Sequence, residues 1–220
     1  MRKSLLTASS LILTLVVMLF SAGVANAQAD LEGKRIGVGL PASGAQVGAL
    51  LVLNAAGLEK GKNFIAEGLN TAQSAERSQD GQLDAFLPLT GAPSSGIAQL
   101  ASTKGMKLLA IPQAIQDAVI KQAPFYFTSP IEAGAYEGQK EDISTLAVGA
   151  QWLVSADQDA ALVYGITKAL WNENTRRLLD NGHAKGKQIT PDTALDGVAA
   201  LGVPLHAGAE KFYKEAGLLD

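Results

Sequence analysis

The residues best placed to do chemistry sit in a run of small ones. Pro41-Ala42-Ser43-Gly44-Ala45 follows a short apolar stretch, residues 35–39, and precedes an apolar run that ends at Ala56. Residues 35–39 read as a buried strand, while Val47, Leu50, Leu51 and Asn54 recur at helical spacing. Ser43 is placed to cap that helix and Gly57 to stop it. A strand that feeds a small-residue turn and a helix start is suited to hold an anion. Free backbone N–H groups point outward there, and the helix dipole adds a partial positive charge. The same residues also read as an ordinary βα turn capped by its own serine.

Two sharper chemistries fail on residue type. Gly39 and Gly44 fit the first half of the phosphate-binding pattern G-x-x-x-x-G-K-[ST], but Ala45 and Gln46 stand where Lys and Ser/Thr belong. Without that lysine nothing reaches the terminal phosphates of a nucleotide. Nor do the neighbours of Ser43, Pro-Ala-Ser-Gly-Ala, make a G-x-S-x-G nucleophile elbow. No Ser/His/Asp set has a spacing that suggests catalysis, so the chain reads as a non-enzyme, with a secreted hydrolase using Ser43 as a remote third reading.

Composition narrows the classes further. The 220 residues are 47% hydrophobic and 18% charged, which suits one globular domain or two small ones. Cysteine is absent, so disulfides, thiolate metal sites and a cysteine nucleophile are excluded. The only histidines are His183 and His206, too few for a His-rich metal site; His206 reads as structural, and no cofactor or metal is expected. The formal charge of −3, with no basic patch, argues against a nucleic-acid surface.

The chain begins like an export signal. Arg2 and Lys3 give a positive start, residues 11–20 an apolar core, and Ala25-Asn26-Ala27 a small-x-small cleavage pattern. Residues 1–27 are expected to be cleaved near Ala27, which places the mature protein in the periplasm. The apolar core is short for a membrane anchor.

The elements that must position the first turn come in alternation. A second short strand falls within residues 60–65, and a helix over 71–80 is closed by Gly81. A third strand over 83–89 runs at once into Gly91-Ala92-Pro93 and a helix over 94–103, repeating the strand–turn–helix unit. Pro93 is also an ordinary first helical residue. A strand over 107–111 and a helix over 113–122 follow. Alternating strands and helices imply a mostly parallel sheet covered on both faces. Ligands in such sheets bind outside the carboxyl ends of the strands, where both turns lie, so both are placed to face one crevice.

Beyond residue 125 the pattern changes. Residues 125–127 are strand-like, and residues 131–139, without period and with two glycines, read as an ordered loop. Its Tyr136 either lines the cleft or packs under the loop. Residues 144–155 read as a long strand carrying Leu146, Val148, Trp152 and Val154, and from Asp157 the chain is nearly all helix. Thr190, a good N-cap, precedes another helix that starts over residues 191–195, and the last helix covers 209–216. Trp152 and Trp171 read as core. Arg35 and Arg77 read as salt-bridged strand-end or surface groups, and neither is assigned to a ligand.

Five stretches together resemble one family. They are Leu31 through Gly39 with Pro41-Ala42-Ser43-Gly44; Asp80 through Phe86 with Gly91-Ala92-Pro93; Ile131 through Gln139; Leu162 through Leu170; and Pro204 through Gly217. In order and spacing they are similar to the TAXI-type solute-binding proteins of TRAP transporters. The resemblance implies an α/β clamshell of two lobes that closes on a small organic carboxylate or acidic amino acid and docks on membrane subunits for import. It implies ligand contacts at Ser43, Gly44, Ala45, Gly91, Ala92 and Pro93, with Tyr136 at the cleft. Ala45 departs from the family, which usually has threonine there.

On this resemblance residues 31–143 form a periplasmic-binding-protein-like α/β lobe with a mostly parallel sheet. Residues 144–220 form the return segment and C-terminal helices of the other lobe. Family members carry a further segment before the Leu31 stretch that supplies most of that other lobe. The expectation is an incomplete lobe, an exposed apolar surface and self-association, and the alternative function is a shortened interaction protein that keeps the lobe but not ligand binding.

Overall fold

The computed structural model describes residues 30–195, 198 and 202–219; the expected leader lies outside the described residues. It divides into two compact units. The first runs through Gln122 and includes Thr128–Leu146; the second consists of Ala123–Phe127 and the chain from Ala147 onward.

In the first unit, β1 (Arg35–Gly37), α1 (Gly44–Ala55), β2 (Ile65–Glu67), α2 (Thr71–Gln79), β3 (Ala85–Phe86), α3 (Ser95–Thr103) and α4 (Gln113–Gln122) follow in turn. The three strands form a parallel sheet in the order β2-β1-β3. Ile36 pairs with Ala66 on one side and Ala85 on the other. The ladder continues past the strand ends, with Val38 N–H donating to Glu67 O and Leu87 N–H to Gly37 O, each at 3.0 Å.

β1 is central, and its alternation fixes the layers. Ile36 and Val38 are buried with Ala49, Leu53, Leu58 and Phe64, which is the core under α1. Gly37 points the other way: a Cβ there would sit 2.7 Å from Ser74 Oγ on α2 and 3.1 Å from Leu83 Cδ2. Since β1 connects to β2 on one side and β2 then crosses to β3 on the other, right-handed crossovers put α1 and α2 on opposite faces. The contacts agree, α1 packing with α4 and α2 with α3. This α/β arrangement, with helices on both faces of a parallel sheet, is that of a periplasmic-binding-protein-like lobe.

An ion pair pins β1 to the start of β3. Asp84 accepts from Arg35 Nε and Nη2, both at 2.9 Å, and from the Arg35 amide at 2.8 Å. The Arg35 side chain, then its amide, hold the Asp84 carboxyl at about 2, below its ordinary 3.8. A depressed carboxyl stabilises the fold above its ordinary range and ceases to as pH falls through the folded value. The stability difference between the native chain and Asp84→Asn is therefore expected to be full at pH 5–7 and to close between about pH 4 and pH 2. Denaturant midpoints measured across that range check it.

Several expected elements are shorter or displaced. The second strand falls at β2, with only an isolated bridge between Lys60 and Phe64 before it. The third is the two residues of β3. Residues 107–111 form no strand. Ile111 N–H donates to Ser144 O, but the Ile111 carbonyl is taken by the Gln116 side chain, and Met106 and Leu108 cover a core of Ile97, Ala101 and Tyr136. Gln116, fully buried on α4, also donates to Ser144 Oγ and accepts from Thr128 Oγ1, each at 2.8 Å. A side chain thus occupies the place of a ladder.

β4 (Tyr126–Ile131) and β5 (Ile143–Val148) form a two-stranded sheet. The loop between them is ordered by Gln139, whose Nε2 faces the carbonyls of Ile131, Glu132 and Glu141 at 2.9–3.0 Å. The expected strand over 144–155 stops at Val148, and Trp152, expected in the core, is 68% exposed.

The second unit is helical: α5 (Ala160–Leu170), α6 (Glu173–Gly182), two 3-10 turns (Ala184–Gln188, Pro191–Thr193) and α7 (Ala207–Glu215). The helix expected to start over 191–195 opens as the second of those 3-10 turns, and Thr190 makes no side-chain cap bond to it. α5 and α7 pack together around Val163, Thr167 and Tyr213, and Trp171 Nε1–H, half-buried, donates to Tyr213 Oη at 3.3 Å. His206 is structural: its Nδ1 caps α7 by accepting from Gly208 N–H at 3.2 Å.

Candidate functional site

The two turns expected to bind are brought side by side. They follow the carboxyl ends of β1 and β3, which are adjacent and parallel. The strand order β2-β1-β3 reverses direction between β1 and β3, and such a reversal is where ligands bind in open α/β sheets. Leu89 Cδ2 lies 4.0 Å from the position of a Cβ on Gly44, so the turn after β3 touches the first turn of α1. A concavity of about 430 Å³, lined in part by Gly33, Lys60 and Lys62, opens instead at the amino ends of β1 and β2. Topology favours the other end.

At the first turn the chain reverses sharply. Gly39 has φ +90° and Ala42 φ 62°, and a non-glycine residue in that region is held there by its surroundings. Ala42 N–H donates to Gln46 Oε1 at 3.2 Å, and Ser43 N–H donates to Leu40 O at 3.1 Å. Ser43 caps α1, its Oγ accepting from Gln46 N–H at 3.2 Å and donating to Leu40 O at 2.7 Å. A hydroxyl has one proton, and here it goes to Leu40 O. The N–H groups of Gly44 and Ala45 have no partner among the described residues.

At the second turn Ala92 and Pro93 lead into Ser94, the residue before α3, whose side chain makes no cap bond. The Ser94 N–H donates instead to Tyr136 Oη at 3.0 Å. Tyr136 is 5% exposed, in a cluster with Ile97 and Ala101 that Ala92 packs against. Its ring lies beneath the turn and anchors the 131–139 loop to the start of α3. This link joins residues 42 apart in sequence, and no local pattern points to it. Gly91 belongs to the same turn but is not tied down by any of these bonds.

Neither α1 nor α3 has an acidic residue in its first turn, so nothing on the helices competes with an incoming anion. Among the described residues no group of three or more His, Asp or Glu is arranged to hold a metal ion. None of the helices described is long and apolar enough to cross a membrane.

The profile of the NMT1-like family matches residues 10–217, nearly the whole chain. The chain belongs to the NMT1-like family. That family is periplasmic-binding-protein-like and related to the TAXI and NMT1 solute-binding proteins. It is a family of solute-binding proteins, which favours an extracytoplasmic solute-binding role for the chain.

Proposed function

We propose that this protein is the solute-binding subunit of a TRAP-type transporter of the TAXI kind, released into the periplasm by cleavage near Ala27 and capturing a small organic carboxylate for delivery to the membrane subunits. The observation that carries the reading is the turn at Ser43-Gly44-Ala45. It lies at the reversal in strand order, with two N–H groups free, the helix dipole behind them and no carboxylate in the first turn of α1. The turn at Gly91-Ala92-Pro93, braced by Tyr136, forms the opposite wall. Binding of this kind needs no cofactor and performs no reaction. Calorimetric titration with a panel of organic acids tests it: heat with a saturable acid supports the reading, and silence from a folded chain removes it.

Ser43 acts through the turn, since its proton is already engaged. Ser43→Ala is expected to lower stability by about 1 kcal/mol through the lost cap. It is also expected to weaken carboxylate binding about fivefold, as the Gly44 and Ala45 amides lose their fixed aim. Melting and titration on the same sample check both. A lower melting point with unchanged affinity leaves Ser43 a purely structural role.

A specific observation favours a second reading, that of an interaction protein. Trp152, Leu153 and Val154 are 68, 67 and 41% exposed in one short run without regular structure. Contiguous apolar exposure of this kind marks interaction surfaces. Self-association is the expected consequence, and sedimentation at increasing concentration tests it; a monomer throughout the micromolar range would set it aside.

A further inference from the structure

The carboxyl end of α6 carries a reactive pair. Asn181 and Gly182 are the last two residues of that helix, and no other asparagine in the chain is followed by glycine. An asparagine side chain is an electrophilic amide, and the backbone nitrogen of the next residue is a nucleophile tethered beside it. Glycine offers that nitrogen with no side chain to hinder the approach and with the freest backbone of any residue. Both residues are exposed, and Gly182 has room around it, with nothing within 4 Å of its Cβ position.

Little holds the pair in its unreactive form. Asn181 Nδ2 donates back to Arg177 O at 2.7 Å, which keeps the side-chain amide folded over the preceding turn. No residue of α6 is buried, and Leu178 is 66% exposed. The chain is extended at His183, φ −159°, in place of the left-handed residue that commonly closes a helix. Arg176, which ties α6 to the 3-10 turn beyond it by donating to Gly186 O and Ile189 O at 2.6 Å, sits more than a turn earlier. A helix end with so little buried surface opens locally at small cost. In the opened form Gly182 N, its proton passing to solvent base, bonds to Asn181 Cγ. The Cγ–Nδ2 bond breaks and ammonia leaves. Water then opens the cyclic imide at either carbonyl, leaving aspartate or isoaspartate at 181. We propose that Asn181 is a site of spontaneous deamidation in the folded protein, with Gly182 as the nucleophile and water as the only co-reactant. The product lacks the donor to Arg177 O and carries a negative charge beside Asp180 at the carboxyl end of α6, where the helix dipole disfavours it.

The test is to age the folded chain at mildly alkaline pH and follow its tryptic peptides by mass, Asn181 falling in the peptide Leu178–Lys185. That peptide is expected to gain the mass of an amide turned acid, and to split into an aspartate and an isoaspartate form, before any other asparagine peptide changes. Asn181→Gln, in which the attack would have to close a larger ring, is expected to keep its mass. Gly182→Ala is expected to slow conversion at least about fourfold, since alanine closes the last turn that much better even before its methyl hinders the attack. A sample unfolded in guanidinium chloride and aged alongside separates the sequence from the structure. Conversion there with none in the folded chain shows that the end of α6 stays shut, and overturns the proposal. Faster conversion at another asparagine of the folded chain also overturns it, as does an unchanged rate in Gly182→Ala or no conversion in either sample.

Discussion

Gly39→Ala is expected to abolish carboxylate binding and to lower stability by about 3 kcal/mol, two effects with one cause. Gly39 has φ +90°, a region where an L side chain is strained by roughly 1–2 kcal/mol. Strain is the smaller part. A Cβ on Gly39 would stand 2.8 Å from Gln46 N, 2.9 Å from Ala45 Cβ and 3.0 Å from Ala45 C. Two of these are backbone atoms in the first turn of α1, so no rotamer relieves the contact. Either β1 or the start of α1 must shift, at an overpacking cost of about 1–3 kcal/mol. The atoms displaced belong to the residues whose amides form the proposed site. Stability and affinity should therefore fall together. Chemical denaturation with titration in parallel checks this. Binding within twofold of the native chain would show that the carboxylate sits elsewhere.

What the sequence revealed about this turn, and what it hid, has a physical pattern. The Ser43 cap, the α1 periodicity and the boundaries of α3 and α4 were legible because each depends on residues within one or two helical turns. The repeated strand–turn–helix unit was legible for the same reason, and with it the placement of both turns at one end of a parallel sheet. Residues 107–111 were misread because their apolar pattern matches a strand, while the group that accepts them is the Gln116 side chain rather than a neighbouring strand. The second half of the 144–155 stretch was misread because a strand needs a partner, and no local signal reports that the partner is missing. Tyr136 was left ambiguous between cleft and core because its bond to Ser94 is long-range. The exposure of Leu40, Val47 and Leu89 was not legible either. Each residue alone is an ordinary core candidate, and only the packing shows that all three stay exposed.

The same dependence on close packing sets the largest effect expected in the second unit. Gly208→Val is expected to destabilise the α5–α7 pair by about 4 kcal/mol or more, at the severe end for a single substitution. Gly208 is buried where α7 starts against α5. A Cβ there would run into Ala160 O, sit 2.7 Å from Tyr164 N and 3.0 Å from Val163 Cβ. Carbonyl and amide belong to the backbone of α5, so the helices must separate. Separation undoes several contacts at once: the His206 cap on Gly208, the Trp171–Tyr213 bond, the Tyr164–Glu215 bond at 2.7 Å and the edge-to-face contact of Tyr164 with Phe212. The readout is direct, because the chain's two tryptophans, Trp152 and Trp171, both belong to this unit. The fluorescence melting midpoint is expected to fall by about 15 °C or more, given roughly 4–8 °C per kcal/mol for a unit of this size. Gly165→Ala is the control: it lies on the exposed side of α5 with nothing within 4 Å of its Cβ position. There, in a helix interior, alanine should stabilise by about 0.5–1 kcal/mol. If Gly208→Val melts within a few degrees of the native chain, α7 does not pack on α5 at this distance in solution, and the helical unit is looser than its geometry requires.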